Sequence, residues 1–237
     1  MRPTGATREA TSRRVLDAAV ELFARHGFAA TGIRDIAAAA RLSSSSLYEY
    51  MTTKDDLLVD IMRATINPLI ASGRVLQRDV ESPAVLLAAL TETHVWFHAT
   101  YPHQAMVTDT ELRALSGVQR ELIVSLRDVY EGVWRDAVDR GVDAGAFDVQ
   151  DVRVAARSLI SLCTGIGGWY RPGGRSSIER LCLDHADLAL AAVRATDGCG
   201  PVRRADLLGV RPARPAWSVT APVPAEAMCS QTTPSRA

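Results

Sequence analysis

Apolar residues recur every three to four positions from about residue 12 to residue 193, and this spacing constrains the fold more than any other feature. It is typical of amphipathic α-helices that bury one face. No stretch of convincing length alternates β-branched and polar residues, as a half-buried strand would. The sequence therefore predicts an all-α fold.

Four helices are predicted near the amino terminus. The first covers residues 12–26 and ends before Gly27, a favoured C-terminal capping residue. Thr31 is expected to cap a short second helix. Ser43 is expected to cap a third that runs to Met51, with Leu47 and Met51 as its buried pair, and Thr53 a longer fourth.

The chain beyond residue 60 continues the helical pattern. Pro68 is expected to kink or end the fourth helix, and Ser82-Pro83 is a typical helix start. Further helices are predicted from residue 83 to about 100 and at about 104–114, 116–140, 150–170 and 176–193. The pattern stops near residue 196, and residues 197–237 contain six of the eleven prolines. Such a segment buries too little apolar surface to offset its ordering entropy, so a disordered tail is predicted at 196–237.

Residues 31–51 have the spacing of a helix-turn-helix: a short helix, a turn near residue 41, and a second helix that begins with small polar residues. The DNA major groove admits one helix, whose first residues reach the base edges. Paired short helices are also common in all-α proteins without DNA activity, so the spacing alone leaves both interpretations open.

The stretch RRVLDAAVELFARHGFAATGIRDIAAAARLSSSSLYEYMTTKDDLL carries a more specific signal. LFARHGF, T-x-x-R-D-I-A, S-x-x-x-L-Y-x-Y and K-D-D-L-L occur in this order, and over about residues 12–60 the chain resembles the tetracycline-repressor (TetR) family of bacterial transcription regulators. The resemblance implies a DNA-binding domain at 8–68 with its helix-turn-helix at about 31–51. It departs from the family at Arg41 and Ser45, where glycine (or proline at the latter) is common, and at Met51, where an aromatic residue is usual.

The resemblance also implies which side chains contact DNA: Thr31, Arg34, Ser44, Ser45, Ser46, Tyr48, Tyr50 and Lys54. Arg34 is placed to read guanine, with a surface pair to Asp35 or Glu49 as its alternative. The tyrosines and Lys54 match positions that contact phosphate or bases, and Thr31 is expected to act as a cap beside amides that face phosphate.

Residues 69–195 are predicted to form a helical ligand-binding and dimerisation domain. The stretch GIGGWYRPGGRSSIERLCLDHADLAL resembles the last two helices of family members that regulate fatty-acid and steroid catabolism, several of which respond to acyl-CoA thioesters. The resemblance implies a homodimer through these helices, unless their apolar faces pack within one subunit. The apolar residues assigned to that surface are Val154, Leu159, Leu162, Ile166, Leu181, Leu188, Leu190 and Val193.

The function that the resemblance implies is that of a transcriptional repressor, which binds a palindromic operator as a dimer and is released by a small hydrophobic effector of the acyl-CoA type. The candidate ligand contacts, which are core residues in the alternative interpretation, are Trp96, Phe97, Thr100, Tyr101, Tyr130, Trp134 and Trp169. Arg113 and Arg127 could meet an anionic group or lie on the solvated surface. No cofactor is expected.

Three other classes of protein are weighed against a regulator. The chain lacks the G-x-S-x-G elbow, the Walker lysine and the dinucleotide fingerprint, so an enzyme is not expected. A protein-binding helical scaffold without DNA activity stays open, and so does a metal-binding protein, because His94 and His98 stand four residues apart near His103.

Composition adds little. The 27 basic and 27 acidic residues give no net charge, so DNA contact has to come from local placement. The absence of an 18-residue apolar run or an apolar leader, and of C-x-x-C spacing among four cysteines, favours a cytoplasmic protein that crosses no membrane.

Overall fold

The computed structural model describes residues 5–214, with side chains from residue 8 onward, and this part of the chain is helical without any β-strand. Two 3-10 helices lie at Glu111–Ala114 and Arg204–Asp206. The α-helices are α1 Gly5–His26, α2 Ile33–Ala39, α3 Ser44–Leu47, α4 Lys54–Asp79, α5 Pro83–Thr100, α6 Pro102–Thr110, α7 Gly117–Asp143, α8 Val152–Thr164, α9 Ile166–Trp169 and α10 Ile178–Ala192. The predicted all-α class is confirmed.

α3 and α4 start where the sequence predicts, whereas α1 already begins at Gly5 and not at residue 12. The Ser43 hydroxyl accepts a hydrogen bond from the Ser46 amide at 3.1 Å and caps α3. Thr53 and Asp56 form a reciprocal capping box at the start of α4, with 3.0 and 3.1 Å bonds. Each cap satisfies an amide that would otherwise have no partner at a helix end.

Thr31 does not cap α2, and that expectation is wrong. Its side chain is 3% exposed, and its hydroxyl lies 2.9 Å from the Gly27 carbonyl and 3.3 Å from that of Leu22. Gly32 occupies the N-cap position, and Asp35 accepts a hydrogen bond from its amide at 3.0 Å. Thr31 therefore ties the loop back to α1.

α4 continues through Pro68 to Asp79. The predicted boundary at residue 68 consequently falls inside a helix that runs from the first domain into the second. The helix predicted at about 150–170 is instead divided at Gly165 into α8 and α9.

The prediction of disorder is wrong for residues 196–214, while 215–237 lie outside the described residues. The Thr196 amide donates to the Ala146 carbonyl, and the Val202 amide to that of Ala195, each at 2.9 Å. The Arg204 guanidinium forms an ion pair with Glu92 of α5. The contacts with Ala146 and Glu92 are long-range, and they supply stability that a proline-rich segment does not obtain locally.

The interior is one continuous apolar cluster. α4 packs on α7, and α5 packs on α10 and α7, while α1 and α6 contact each other across the two halves of the molecule. Across the described range, no helix has both the length and the apolar character that a membrane span requires.

Candidate DNA interface and effector cavity

The turn between α2 and α3 is a Schellman motif. The Leu42 amide donates to the Ala37 carbonyl at 2.8 Å, and the Arg41 amide to that of Ala38 at 3.0 Å. Arg41 has φ of 57°, the left-handed conformation that glycine adopts most easily. Arginine at this position, where glycine is common in the family, thus has a conformational cost of about 1 kcal/mol.

α3 presents a polar surface at its first turn. Ser44 and Ser45 are exposed and Ser46 is half-buried, whereas Leu47 is fully buried and anchors the helix. The hydroxyls of Ser45 and Ser46 lie 2.8 and 2.9 Å from that of Ser43. The Ser44 hydroxyl has no partner within residues 8–214, so this turn has free hydrogen-bonding capacity toward solvent.

The two tyrosines behind α3 differ in setting. Tyr48 is 57% exposed and lies in the turn that follows the four-residue helix, so the longer helix predicted through Met51 is wrong. Tyr50 is half-buried under the Arg8 guanidinium, which lies 5.8 Å from the ring centroid. Arg8 also donates to the Glu49 carbonyl at 3.1 Å, so α1 closes over this turn.

Arg34 on α2 is exposed, and within the described side chains it makes no ion pair. The predicted alternative of a surface pair with Asp35 or Glu49 is therefore not formed. Asp35 instead bonds the Gly32 amide. This unpaired guanidinium, on the first helix of the helix-turn-helix, is available for an external anion or base edge.

Lys54 has a second role that the sequence does not reveal. Its ammonium donates to the carbonyls of Phe28 and Thr31, at 2.8 and 2.9 Å, and lies 4.2 Å from the Phe28 ring centroid. Two of its three protons are used inside the protein, which leaves one for a phosphate. Lys54 thus clamps the α1–α2 loop onto the start of α4.

A cavity of about 180 Å³ lies among α4, α5, α6, α7 and α8. Its polar wall contains two histidines, an arginine and two carboxylates, and its apolar wall consists of aliphatic side chains. It is lined by Thr65, Ile66, Leu69, His94, His98, Ala105, Thr108, Asp109, Arg127, Tyr130, Glu131, Ile160 and Thr164.

His94 connects three helices inside the cavity. Its Nδ1 lies 2.8 Å from the Tyr130 hydroxyl, and its Nε2 lies 3.1 Å from that of Thr164. Burial lowers the pKa of His94 well below its usual value, and the charge on His98 lowers it further. Burial also raises the pKa of Tyr130, so both groups are neutral near pH 7.

Only one of the seven ligand contacts proposed from the sequence, Tyr130, lines this cavity. Trp134 is fully buried, 5.8 Å from the His94 ring centroid, and Phe97 is fully buried as well. Trp96 packs against Tyr101 and under Arg214, while Thr100 and Trp169 are exposed. Aromatic content in the sequence therefore did not locate the cavity.

The signal for the cavity in the sequence is the pair His94 and His98, whose spacing is also compatible with a metal site. His98 lies 3.3 Å from Asp109, and His103 lies 2.6 Å from Glu21 at the other end of α6. The described side chains gather no group of three that could hold a metal ion.

The last two long helices leave an apolar surface uncovered. Leu159, Ile166, Leu181, Leu190 and Val193 are buried within the subunit, so their assignment to the dimer surface is wrong. The exposed apolar residues on α8, α9 and α10 are Val154 (60%), Leu162 (39%), Trp169 (57%), Leu183 (38%) and Leu188 (51%).

Both the amino-terminal and the carboxyl-terminal half of the chain match known protein families. Residues 15–61 match the model of the family described as "Bacterial regulatory proteins, tetR family", and residues 80–193 match "Tetracyclin repressor-like, C-terminal domain". The HTH-type transcriptional repressor KstR2 of Rhodococcus jostii (strain RHA1) is 28% identical over 179 residues, which cover 74% of this chain and 87% of that protein.

Solved structures show the same architecture. A bacterial regulatory protein in the tetR family from Rhodococcus RHA1 is 27% identical, with a TM-score of 0.73 over 79% of this chain and 98% of its own. AibR in complex with isovaleryl coenzyme A and operator DNA is 22% identical, with a TM-score of 0.69 over 75% of this chain and 97% of its own, a likeness of fold alone.

Proposed function

The chain belongs to the TetR family of bacterial transcriptional regulators, and on that premise we propose that it binds a palindromic operator as a homodimer and leaves it when a small effector binds. The observation that carries the proposal is the exposed turn at the start of α3. Among the described side chains, the Ser44 hydroxyl at this turn is free, Tyr48 directly after α3 is exposed, and Arg34 on the preceding helix α2 is exposed and unpaired. A helix N-terminus with such groups suits a phosphate backbone and the base edges beside it.

The proposed DNA contacts have separate roles. Arg34 reads bases, while Ser44, Ser45, Tyr48 and the remaining Lys54 proton contact phosphate. Ser46 and Tyr50 are half-buried, and the buried Thr31 supports the loop without reaching DNA.

A gel shift with the intergenic DNA next to the chain's own gene tests this assignment. Tyr48→Phe should weaken binding to all sequences alike, whereas Arg34→Ala should also relax the preference for the operator over mutated sites. Wild-type affinity should fall steeply with salt as counterions are released. Arg25→Ala, which removes an exposed pair with Glu21 on α1, is the control. Unchanged binding by Tyr48→Phe and Arg34→Ala would contradict the proposal.

The proposed dimer uses the exposed apolar residues of α8, α9 and α10. A dimer places two recognition helices about 34 Å apart, one turn of DNA, and doubles the contacts of a single module. Leu188→Asp should shift the protein toward the monomer in sedimentation velocity and weaken operator binding. Val118→Asp, at a position on α7 that is 81% exposed, is the matched control and should leave both unchanged. A dimer that survives Leu188→Asp intact would exclude this surface.

The proposed route from effector to DNA runs through α6 and α4. Thr108 and Asp109 of α6 line the cavity, and His103 at its other end contacts Glu21 of α1. α4 extends from the Lys54 clamp to the cavity wall at Thr65. An effector that binds more tightly to the state with a shifted α6 would change the separation of the two DNA-binding heads, so that they no longer match the two half-sites. To empty the operator, its affinities for the two states must differ by several kcal/mol.

The effector proposed for this cavity is small. A dry cavity of about 150 Å³ holds benzene, so about 180 Å³ accepts a body slightly larger than that. The acyl-CoA-type thioester suggested by the resemblance would place only its acyl group in this space. AibR, a protein of this fold, is described in complex with isovaleryl coenzyme A.

A further inference from the structure

One positive charge in the cavity wall has no carboxylate partner. The Arg127 guanidinium donates to the Thr108 carbonyl, and within the described side chains it forms no ion pair. Burial lowers the pKa of Arg127, an effect that the more distant charge of Asp109 partly offsets. A half-buried guanidinium retains most of its five donors for a further acceptor.

The two carboxylates of the wall have partners other than Arg127. Glu131 lies 2.9 Å from Arg157, and Asp109 lies 3.3 Å from Nε2 of His98. His98 Nδ1 lies 3.0 Å from the His94 carbonyl, an acceptor only, so this nitrogen carries a proton. Arg127 therefore lines the cavity without an ion pair of its own within the described side chains.

The rest of the lining is neutral or apolar. His94 and Tyr130 are held in their uncharged forms and bonded to each other at 2.8 Å. Ile66 and Leu69 of α4 and Ile160 of α8 supply aliphatic surface. The cavity thus combines one group that can bind an anion with a small, mainly apolar space for the rest of a ligand.

We propose that the effector is a small monocarboxylic acid whose carboxylate binds Arg127 and whose apolar body, close to benzene in size, fills the remaining space. This inference rests on the proposed function, because it names the ligand of the same cavity. A planar guanidinium binds a carboxylate through two parallel charge-assisted hydrogen bonds. Binding in this way draws the guanidinium, and with it the Thr108 carbonyl to which it donates, toward the ligand, and so shifts the carboxyl-terminal end of α6, which is the movement that the regulatory route requires.

Calorimetry with the full chain tests the charge and the size separately. Benzoate and benzamide have the same shape, as do pentanoate and pentanamide, but only the acids carry a charge. The acid should bind about tenfold or more tightly than its amide in at least one pair. Equal binding of acid and amide in both pairs, or no acid binding at millimolar concentration, would overturn the proposal.

Variants at Arg127 identify the anchor. Arg127→Met should lose the preference for the acid and still bind the amide as the wild type does, which also shows that the cavity is folded. Arg127→Lys should keep part of the preference, because it retains the charge without the two-pronged geometry. Arg120→Met, at an exposed position on the same helix, should behave as the wild type. Undiminished preference for the acid in Arg127→Met would overturn the assignment.

Two further measurements separate this inference from the proposed function. If isovaleryl-CoA binds while every free acid fails, the carboxylate inference is wrong and the regulator proposal stands. If the ligand-free protein does not bind its intergenic DNA but does bind benzoate through Arg127, the DNA proposal is wrong and the cavity assignment stands. If benzoate releases the operator from the wild type but not from Arg127→Met, both the DNA proposal and the carboxylate inference are supported.

Discussion

The DNA-binding head and the regulatory half obtain their polar contacts in different ways. In the head, Ser43 bonds Ser46 and Thr53 bonds Asp56, each across three residues. In the regulatory half, His94 bonds Thr164 across 70 residues. Contacts of the first kind follow from helix geometry and are visible in the sequence, whereas those of the second kind exist only because distant helices pack together.

Lys54 is an exception inside the head. Its bonds to Phe28 and Thr31 span 26 and 23 residues, and they join the loop after α1 to the start of α4. If the comparison is sound, losing a long-range charged contact should destabilise the chain more than changing a local one. The following substitutions test that order.

The largest effect is expected from Arg204→Met. It leaves Glu92, whose side chain is 5% exposed, without its cation, and an uncompensated buried charge costs about 3–5 kcal/mol. Urea unfolding followed by circular dichroism measures the loss. Arg180→Met, which removes an exposed pair with Asp184, should change the free energy of unfolding by less than about 1 kcal/mol.

A double substitution controls for packing at this site. Glu92→Leu together with Arg204→Met removes both charges and should recover most of the lost stability. A small loss in Arg204→Met alone would mean that the ordered segment 196–214 is not held by this pair.

Lys54→Met should cost about 2 kcal/mol, because two charged hydrogen bonds to backbone carbonyls are lost at a half-buried position. Urea unfolding measures this loss. The exposed pair removed by Arg25→Met should matter much less. Equal effects of these two substitutions would show that the long-range bonds of Lys54 stabilise the head no more than an exposed local pair does.

Acid should destabilise the protein through His94. Its pKa is depressed in the folded state, so the unfolded chain binds a proton that the folded one does not, and stability falls as the pH drops below about 6.5. Between pH 6.5 and 5.5 the loss from this group is about 1 kcal/mol. Unfolding curves of His94→Gln should lack this component, while His26→Gln, at an exposed position, should retain it.

The smallest effect is a gain. Arg41→Gly should stabilise the chain by about 1 kcal/mol, because glycine adopts the φ of 57° without a Cβ penalty. Chemical denaturation resolves a change of this size. A loss of stability instead would show that the Arg41 side chain contributes more than its backbone costs.

The head could be predicted in some detail. The caps at Ser43 and Thr53, and the buried pair Leu47 and Met51, follow from local spacing and were confirmed. The length of α3 was overestimated, because its apolar spacing is equally compatible with the turn that follows Leu47.

The regulatory half was predictable only in outline. Helices were recognised, but the break at Gly165 and the ordered segment after Thr196 were not. A glycine inside an apolar pattern is tolerated in many helices, and a proline-rich segment folds only when another part of the chain receives it. The aromatic residues chosen as ligand contacts were mostly placed elsewhere, because large rings fill the core as readily as they line a cavity.

The sequence by itself determined the all-α class, the order of the helices, and the helix-turn-helix with its capped recognition helix. These features depend on periodicity and on partners three or four residues away. Only the tertiary structure decided that Arg127 and His94 share a cavity, that Lys54 clamps a loop, and that Glu92 holds Arg204. Such groups meet because burial of apolar helix faces brings distant residues together, and no local pattern records which faces will meet.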